Sequence, residues 1–190
     1  MNQQPQPPRK LMVPFDAETA RTLHAGEQVL LTGHIYTARD AAHARLVATI
    51  TAGDQLPVEL RDQTIFYAGP APARPGAVIG SIGPTTSGRM DPYTPALLQH
   101  GLTGMIGKGL RSNEVVQAMR ECGAVYFAAL GGAAALLARS VVAVELVAYE
   151  ELGTEAIRRL EVKDFPVIVA IDSEGKSLYD SPQPQAHSPQ

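Results

Sequence analysis

Residues 104–130 read GMIGKGLRSNEVVQAMRECGAVYFAAL, and three kinds of segment follow one another within them. Gly104 to Ile106 is a short apolar run closed by glycine. Ser112 to Glu121 carries helical spacing, with Ser112 in position to cap it. Ala124 to Leu130 is a second apolar run. A strand, a helix and a strand in immediate succession argue for an α/β layered domain.

The same alternation extends outward in both directions. Further strand candidates are Gln28 to Tyr36, Ala77 to Ile82, Val141 to Val147 and Phe165 to Ile171, each short and bounded by Gly, Pro or charge. Asp40 is placed to cap a helix whose Ala41, Ala44, Val47 and Ala48 share a face, with Gly53 as its stop. Helices are also predicted at Pro95 to His100, Ala133 to Ala138 after the pair Gly131-Gly132, and Thr154 to Leu160. No internal repeat of solenoid length is present, and the pattern does not give the sheet order.

Composition sets the outer limits. At 190 residues, 45% of them hydrophobic and 18% charged, the chain fits one globular domain. Residues 1–10 and 181–190 are rich in Pro, Gln and Ser and read as mobile tails around a domain of 11–180. The net charge of −3 lacks the basic excess of a nucleic-acid binder. The longest uncharged run, Cys122 to Ala138, is shorter than the roughly 20 residues of a membrane helix. The N-terminus lacks the apolar segment of a secretory signal, so a cytoplasmic protein without membrane attachment is expected. The single cysteine, Cys122, cannot form an internal disulfide or supply alone the thiolates of an iron–sulfur cluster. The five histidines show no paired metal spacing, and no metal site is expected within this chain.

Three loops carry the residues suited to chemistry. Gly83 to Asp91, GPTTSGRMD, gathers hydroxyls and backbone N–H groups in one turn and adds the carboxylate-binding fork of Arg89. The same residues also suit an ordinary turn in which Arg89 pairs with Asp91. Gly101 to Gly109, GLTGMIGKG, holds Lys108 between glycines. It fails the phosphate-loop spacing, so ATP or GTP binding is disfavoured, but Gly107 and Gly109 let an anion approach the backbone beside Lys108. In Thr37 to His43, Arg39 stands just before a helix N-terminus, and His43 suits a helix histidine better than a ligand. Arg39, Arg89 and Lys108, each in a loop after a strand, can converge on the carboxyl edge of a sheet and hold a compact dianion. Those at 84–90 and 104–109 are expected to be mobile until a partner and a dicarboxylate order them.

The stretch GPTTSGRMDPYTPALLQHGLTGMIGKG, with GHIYTARDAAH upstream and EAIRRLEVKDFPVIVAIDSEG downstream, resembles the β subunit of the class I fumarate hydratase and L-tartrate dehydratase family, the iron–sulfur hydro-lyases. The resemblance runs from about Leu11 to Leu178. It implies a swivelling β/β/α domain and a partner α subunit that carries a 4Fe–4S cluster, with a pair of αβ units as the assembly. It also implies proton transfer by Thr85 and binding of substrate carboxylates by Arg39, Arg89 and Lys108. Thr86, Ser87, Asp91, Gly107 and Gly109 fall in supporting positions, Asp91 being expected to orient Arg89. Fumarate/malate and tartrate share these motifs, so the resemblance leaves the diacid open. A non-enzymatic assembly module of the same fold is a competing reading, against which stands the intact set of Thr85, Arg39, Arg89 and Lys108. A stand-alone nucleotide binder is disfavoured by the failed phosphate-loop spacing and by the absence of G-x-G-x-x-G after the first strand.

Overall fold

The computed structural model describes residues 7–129 and 134–180. Residues 1–6 of the predicted N-terminal tail, the predicted C-terminal tail at 181–190, Leu130, the Gly131-Gly132 turn and Ala133 lie outside them. Seven strands form one sheet: β1 (Arg9–Val13), β2 (Gln28–Thr37), β3 (Thr64–Phe66), β4 (Gly104–Gly107), β5 (Val125–Ala129), β6 (Val141–Ala148) and β7 (Ile157–Ile171). Among the described residues five α-helices accompany them: α1 (Ala17–Ala20), α2 (Asp40–Ala52), α3 (Thr94–Gln99), α4 (Asn113–Cys122) and α5 (Ala134–Arg139). The fold is a mixed α/β layered domain.

β2, β3, β4 and β5 pair in parallel, and β7 runs antiparallel to both β5 and β2. The pairings therefore close a circuit, β2–β3–β4–β5–β7–β2, with β1 added to β2 and β6 to β7. Period-two alternation divides the side chains of this circuit between two cores. Phe66, Ile106, Val125 and Phe127 point to one with Leu31, Ile35, Leu160 and Phe165. Ile65, Met105 and Tyr126 point to the other, which α2, α3 and α4 cover with Leu46, Leu97, Leu98, Val115 and Met119. Two sheet surfaces and a helical layer result.

Residues 104–129 form the strand, helix and strand that their sequence predicts, β4, α4 and β5. Ser112 caps α4, its hydroxyl accepting from the Val115 amide at 3.3 Å. α3 also lies within a residue of its expected limits, and α5 covers the described part of the helix predicted at 133–138.

Four expectations are corrected. Ala77 to Ile82 is not a strand: it lies in the irregular segment between β3 and the 3-10 turn Ser87–Met90. Pro70, Pro72 and Pro75 remove donors from this segment, and Ile82 is fully buried without joining the ladder. Thr154 to Leu160 is not a helix, because β7 begins at Ile157 and has partners on both edges, β2 and β6, which override local propensity. Asp40 does not cap α2. The cap position is Arg39, and Glu155, just before β7, accepts from the Ala41 amide at 2.9 Å instead. β1 starts at Arg9, two residues inside the stretch read as a tail, and pairs with β2 from Arg9↔Val29 to Val13↔Gly33. The three-residue β3 is too short to show alternation and has no sequence signal of its own.

Candidate functional site

Parallel pairing brings the carboxyl ends of β2, β3 and β4 to one edge of the sheet. Arg39 stands two residues beyond the end of β2. Tyr67 follows β3, and its carbonyl accepts from the Thr85 amide at 2.7 Å, fastening the GPTT turn to the end of that strand. Lys108 follows β4, forms a bridge with Thr86, and accepts on its carbonyl from the Ser87 amide at 2.9 Å. The second loop thus reaches the sheet edge through β3 rather than through the expected strand at 77–82.

Arg39 and Arg89 meet over one carboxylate. Arg89 Nε donates to Asp40 Oδ1 at 2.8 Å, while Arg39 Nε lies 3.8 Å from Asp40 Oδ2. Those last two atoms are buried and have no hydrogen-bond partner among the described residues. Arg39 also faces Glu155 at 3.6 Å. Arg89 Nη1 donates to Thr85 Oγ1 at 3.4 Å, so the threonine hydroxyl and both arginines form one constellation. The Arg89 side chain is half exposed and Thr85 partly so. Lys108 stands exposed on the adjoining strand end, without an ion pair among the described residues.

Of the supporting positions, Asp91 departs from its expected task. Asp91 does not orient Arg89. Its Oδ1 accepts from Arg111 Nε at 2.7 Å and its Oδ2 from the Ser112 amide at 2.7 Å, because the turn after Arg89 directs Asp91 toward the start of α4. Ser87 is fully buried and shares a 2.9 Å hydrogen bond with the Tyr126 hydroxyl, which donates in turn to the Gly109 carbonyl at 2.9 Å. A Cβ on Gly107 would come within 1.9 Å of Ser87 Oγ, so this glycine lets the GPTTS turn lie against β4. Gly109 has φ +84° with open space around it. Thr86 is exposed and contributes through its backbone. Residues 104–107 are a buried strand with partners on both sides, not part of a mobile loop.

Arg111 was not legible as a site residue. Its side chain is fully buried behind the loops, with Nη2 on Thr94 Oγ1 at 2.8 Å and Nη1 on the Tyr67 hydroxyl at 3.3 Å. Its guanidinium also lies over the Tyr67 and Tyr126 rings. Burial opposes its charge, but Tyr67 and the Asp91 carboxylate outweigh that, and its pKa is raised. One arginine therefore ties the end of β3, the turn at 91–94 and the start of α4 into a rigid floor. His43 is also buried, Nδ1 against the Arg39 carbonyl at 2.9 Å; burial lowers its pKa to about 4 and keeps it neutral.

The described residues offer no fit for an iron–sulfur cluster. Cys122 closes α4 at the end remote from Lys108, about 15 Å along a ten-residue helix. Burial raises its thiol pKa, which disfavours the thiolate that binds metal. Among the described residues, no group of three His, Cys, Asp or Glu side chains converges.

Known proteins share this sequence closely. Residues 8–182 match the family model described as Fumarase C-terminus. The anaerobic class I fumarate hydratase of Escherichia coli K12 is 46% identical over 151 residues, which is 78% of this chain and 28% of that protein. Fumarate hydratase 2 of Leishmania major is 40% identical over 156 residues, again 28% of its length. The chain thus spans little more than a quarter of these fumarate hydratases. In contrast, a protein of Methanocaldococcus jannaschii named putative L(+)-tartrate dehydratase subunit beta is 41% identical over 166 residues, 84% of this chain and 85% of that one. With the match covering nearly the whole described chain, the protein belongs to the Fumarase C-terminus family.

Proposed function

We propose that this chain is the β subunit of a hydro-lyase that interconverts fumarate and L-malate. The observation that carries this reading is the gathering of Arg39, Arg89 and Thr85 on one carboxyl edge, with Lys108 on the next strand. Two forked cations and one ammonium suit a small dicarboxylate, and their loops fix its two ends relative to the threonine. Arg89 Nη1 donates to Thr85 Oγ1, which stabilises negative charge on that oxygen. In the hydration direction Thr85 Oγ1 gives its proton to the substrate carbon and is left as the alkoxide; in the reverse direction the alkoxide takes the proton from that carbon. The arginines and Lys108 meet the charge that builds on the adjacent carboxylate when that carbon loses its proton.

The complementary half of the chemistry, handling of the substrate hydroxyl by a Lewis acid, would come from a 4Fe–4S cluster on an α subunit. The size of the M. jannaschii relative supports a separate subunit of this kind. Its name also favours a second reading, L-tartrate dehydratase, in which the same cations hold a diacid with one more hydroxyl. In either case a cytoplasmic complex of paired αβ units is the expected form.

The test is anaerobic co-expression with the candidate α subunit, cluster reconstitution, and parallel assays of fumarate from L-malate and oxaloacetate from L-tartrate. Thr85→Ala and Arg89→Ala should each lower turnover by about 10²- to 10⁴-fold while the complex still assembles. The faster substrate names the activity. An assembled, cluster-loaded complex that acts on neither diacid would favour an assembly module.

A further inference from the structure

Asp40 is the one carboxylate placed between the two guanidiniums, and its arrangement differs from that of an ordinary surface ion pair. Its Oδ1 takes the Nε hydrogen of Arg89 at 2.8 Å, and its Oδ2 is buried opposite the buried Nε of Arg39 at 3.8 Å. It stands at the first position of α2, where the helix dipole favours a negative charge and the backbone fixes its direction. Capping does not occupy it, because Glu155 accepts from the Ala41 amide. Glu155 also faces Arg39 Nη2 at 3.6 Å, so each arginine is held by an acid of the same neighbourhood.

This geometry leaves a defined part of Arg89 for a ligand. Nε is engaged by Asp40 and Nη1 by Thr85, while Nη2 has no partner among the described residues. Two fixed N–H groups determine the plane of the guanidinium and hence the direction in which the rest of the fork points. An unattached arginine with half of its side chain exposed would instead sample many rotamers.

We infer that Asp40 is a positioning residue, a carboxylate that sets the plane of Arg89 and its spacing from Arg39 so that both grip one dicarboxylate. It acts through the arginines and touches neither the reacting carbon nor the proton. The inference rests on the proposed diacid site, but part of its test does not.

The first readout uses the chain alone: the Nε–H resonances of Arg39 and Arg89 in a 15N spectrum. The Arg89 signal should be protected from solvent exchange in the wild type, lost in Asp40→Asn, and at least partly regained in Asp40→Glu. The second uses the active complex. Asp40→Asn should raise KM for the diacid about tenfold or more, the usual weight of a charged hydrogen bond, and kcat should fall with it as Arg89 is released from Thr85. On an Arg89→Lys background the same substitution should add little, since the fork that it orients is already gone. An unaltered Arg89 signal in a folded Asp40→Asn chain overturns the inference, as does a loss confined to kcat. Complete additivity with Arg89→Lys overturns it as well. If the complex proves inactive, the proposed function falls, and the Nε–H spectrum of the chain still decides the role of Asp40.

Discussion

Among single residues, the clearest contrast is between two arginines. Arg111 is fully buried on Asp91, and removing it would leave that carboxylate, only 14% exposed, with the Ser112 amide but no positive charge beside it. Arg111→Ala should cost about 3–5 kcal/mol, read from denaturant unfolding. Arg159 pairs with Glu145 on the surface at 2.6 Å, with roughly half of each side chain in water. Arg159→Ala should cost less than about 1 kcal/mol in the same measurement. His43 gives a pH signature. Above pH 6.5 it is neutral both folded and unfolded and contributes nothing to the dependence. As pH falls from 6.5 toward 4, the unfolded chain binds the proton first, so stability drops, by about 3 kcal/mol in all. Urea midpoints at pH 7.5 and 4.5 should show this drop, reduced in His43→Gln. The sequence marked Arg39, Thr85, Arg89 and Lys108 as candidates because each sits in a glycine- or threonine-marked loop. Arg111 gave no such sign: it follows Leu110 in an aperiodic stretch, and only the tertiary turn at 91–94 gives it an acid. Asp40 looked like a cap, since a helix start and an ion-pair acid use the same residue type.

At the scale of elements, loops and strands meet with little slack. Gly107→Ala would place a methyl group 1.9 Å from Ser87 Oγ and 3.0 Å from the Tyr67 ring. Ser87 is itself held by Tyr126, so the turn must shift, at about 1–3 kcal/mol and with loss of the proposed diacid binding. A melting curve and a binding titration of the variant would show both. Ser112→Ala should remove the α4 cap for about 1 kcal/mol. Elements with strong periodicity and clear stops, α2, α3 and α4, were readable within a residue or two. Those made by partners were not: β3 has three residues, and the first half of β7 spaces its apolar side chains as a helix would. The strand identity of β4 also narrows the expected effect of ligand on amide exchange. Its amides are already protected on both sides, so slowing should be confined to 84–90 and 108–110.

For the whole molecule, alternation of strands and helices was enough to give an α/β domain, but the order and closure of the sheet follow from pairings between distant residues. β7 supplies the closing edge on both sides, to β2 and to β5. That single strand has a consequence for biosynthesis. Thr37 and Arg158, neighbours across the β2–β7 seam, are 121 residues apart in the chain. At translation rates of about 5–20 residues per second, the β7 edge of β2 waits on the order of 6–25 s after leaving the ribosome before its partner exists. During that interval Leu31 and Ile35, both fully buried in the finished fold, have no β7 to cover them. Pulse-labelling of stalled nascent chains should find the amides of β2 that face β7 open until residue 171 has emerged. The N-terminal half of the domain therefore depends on other cover, a chaperone or its own collapse, until the last strand arrives.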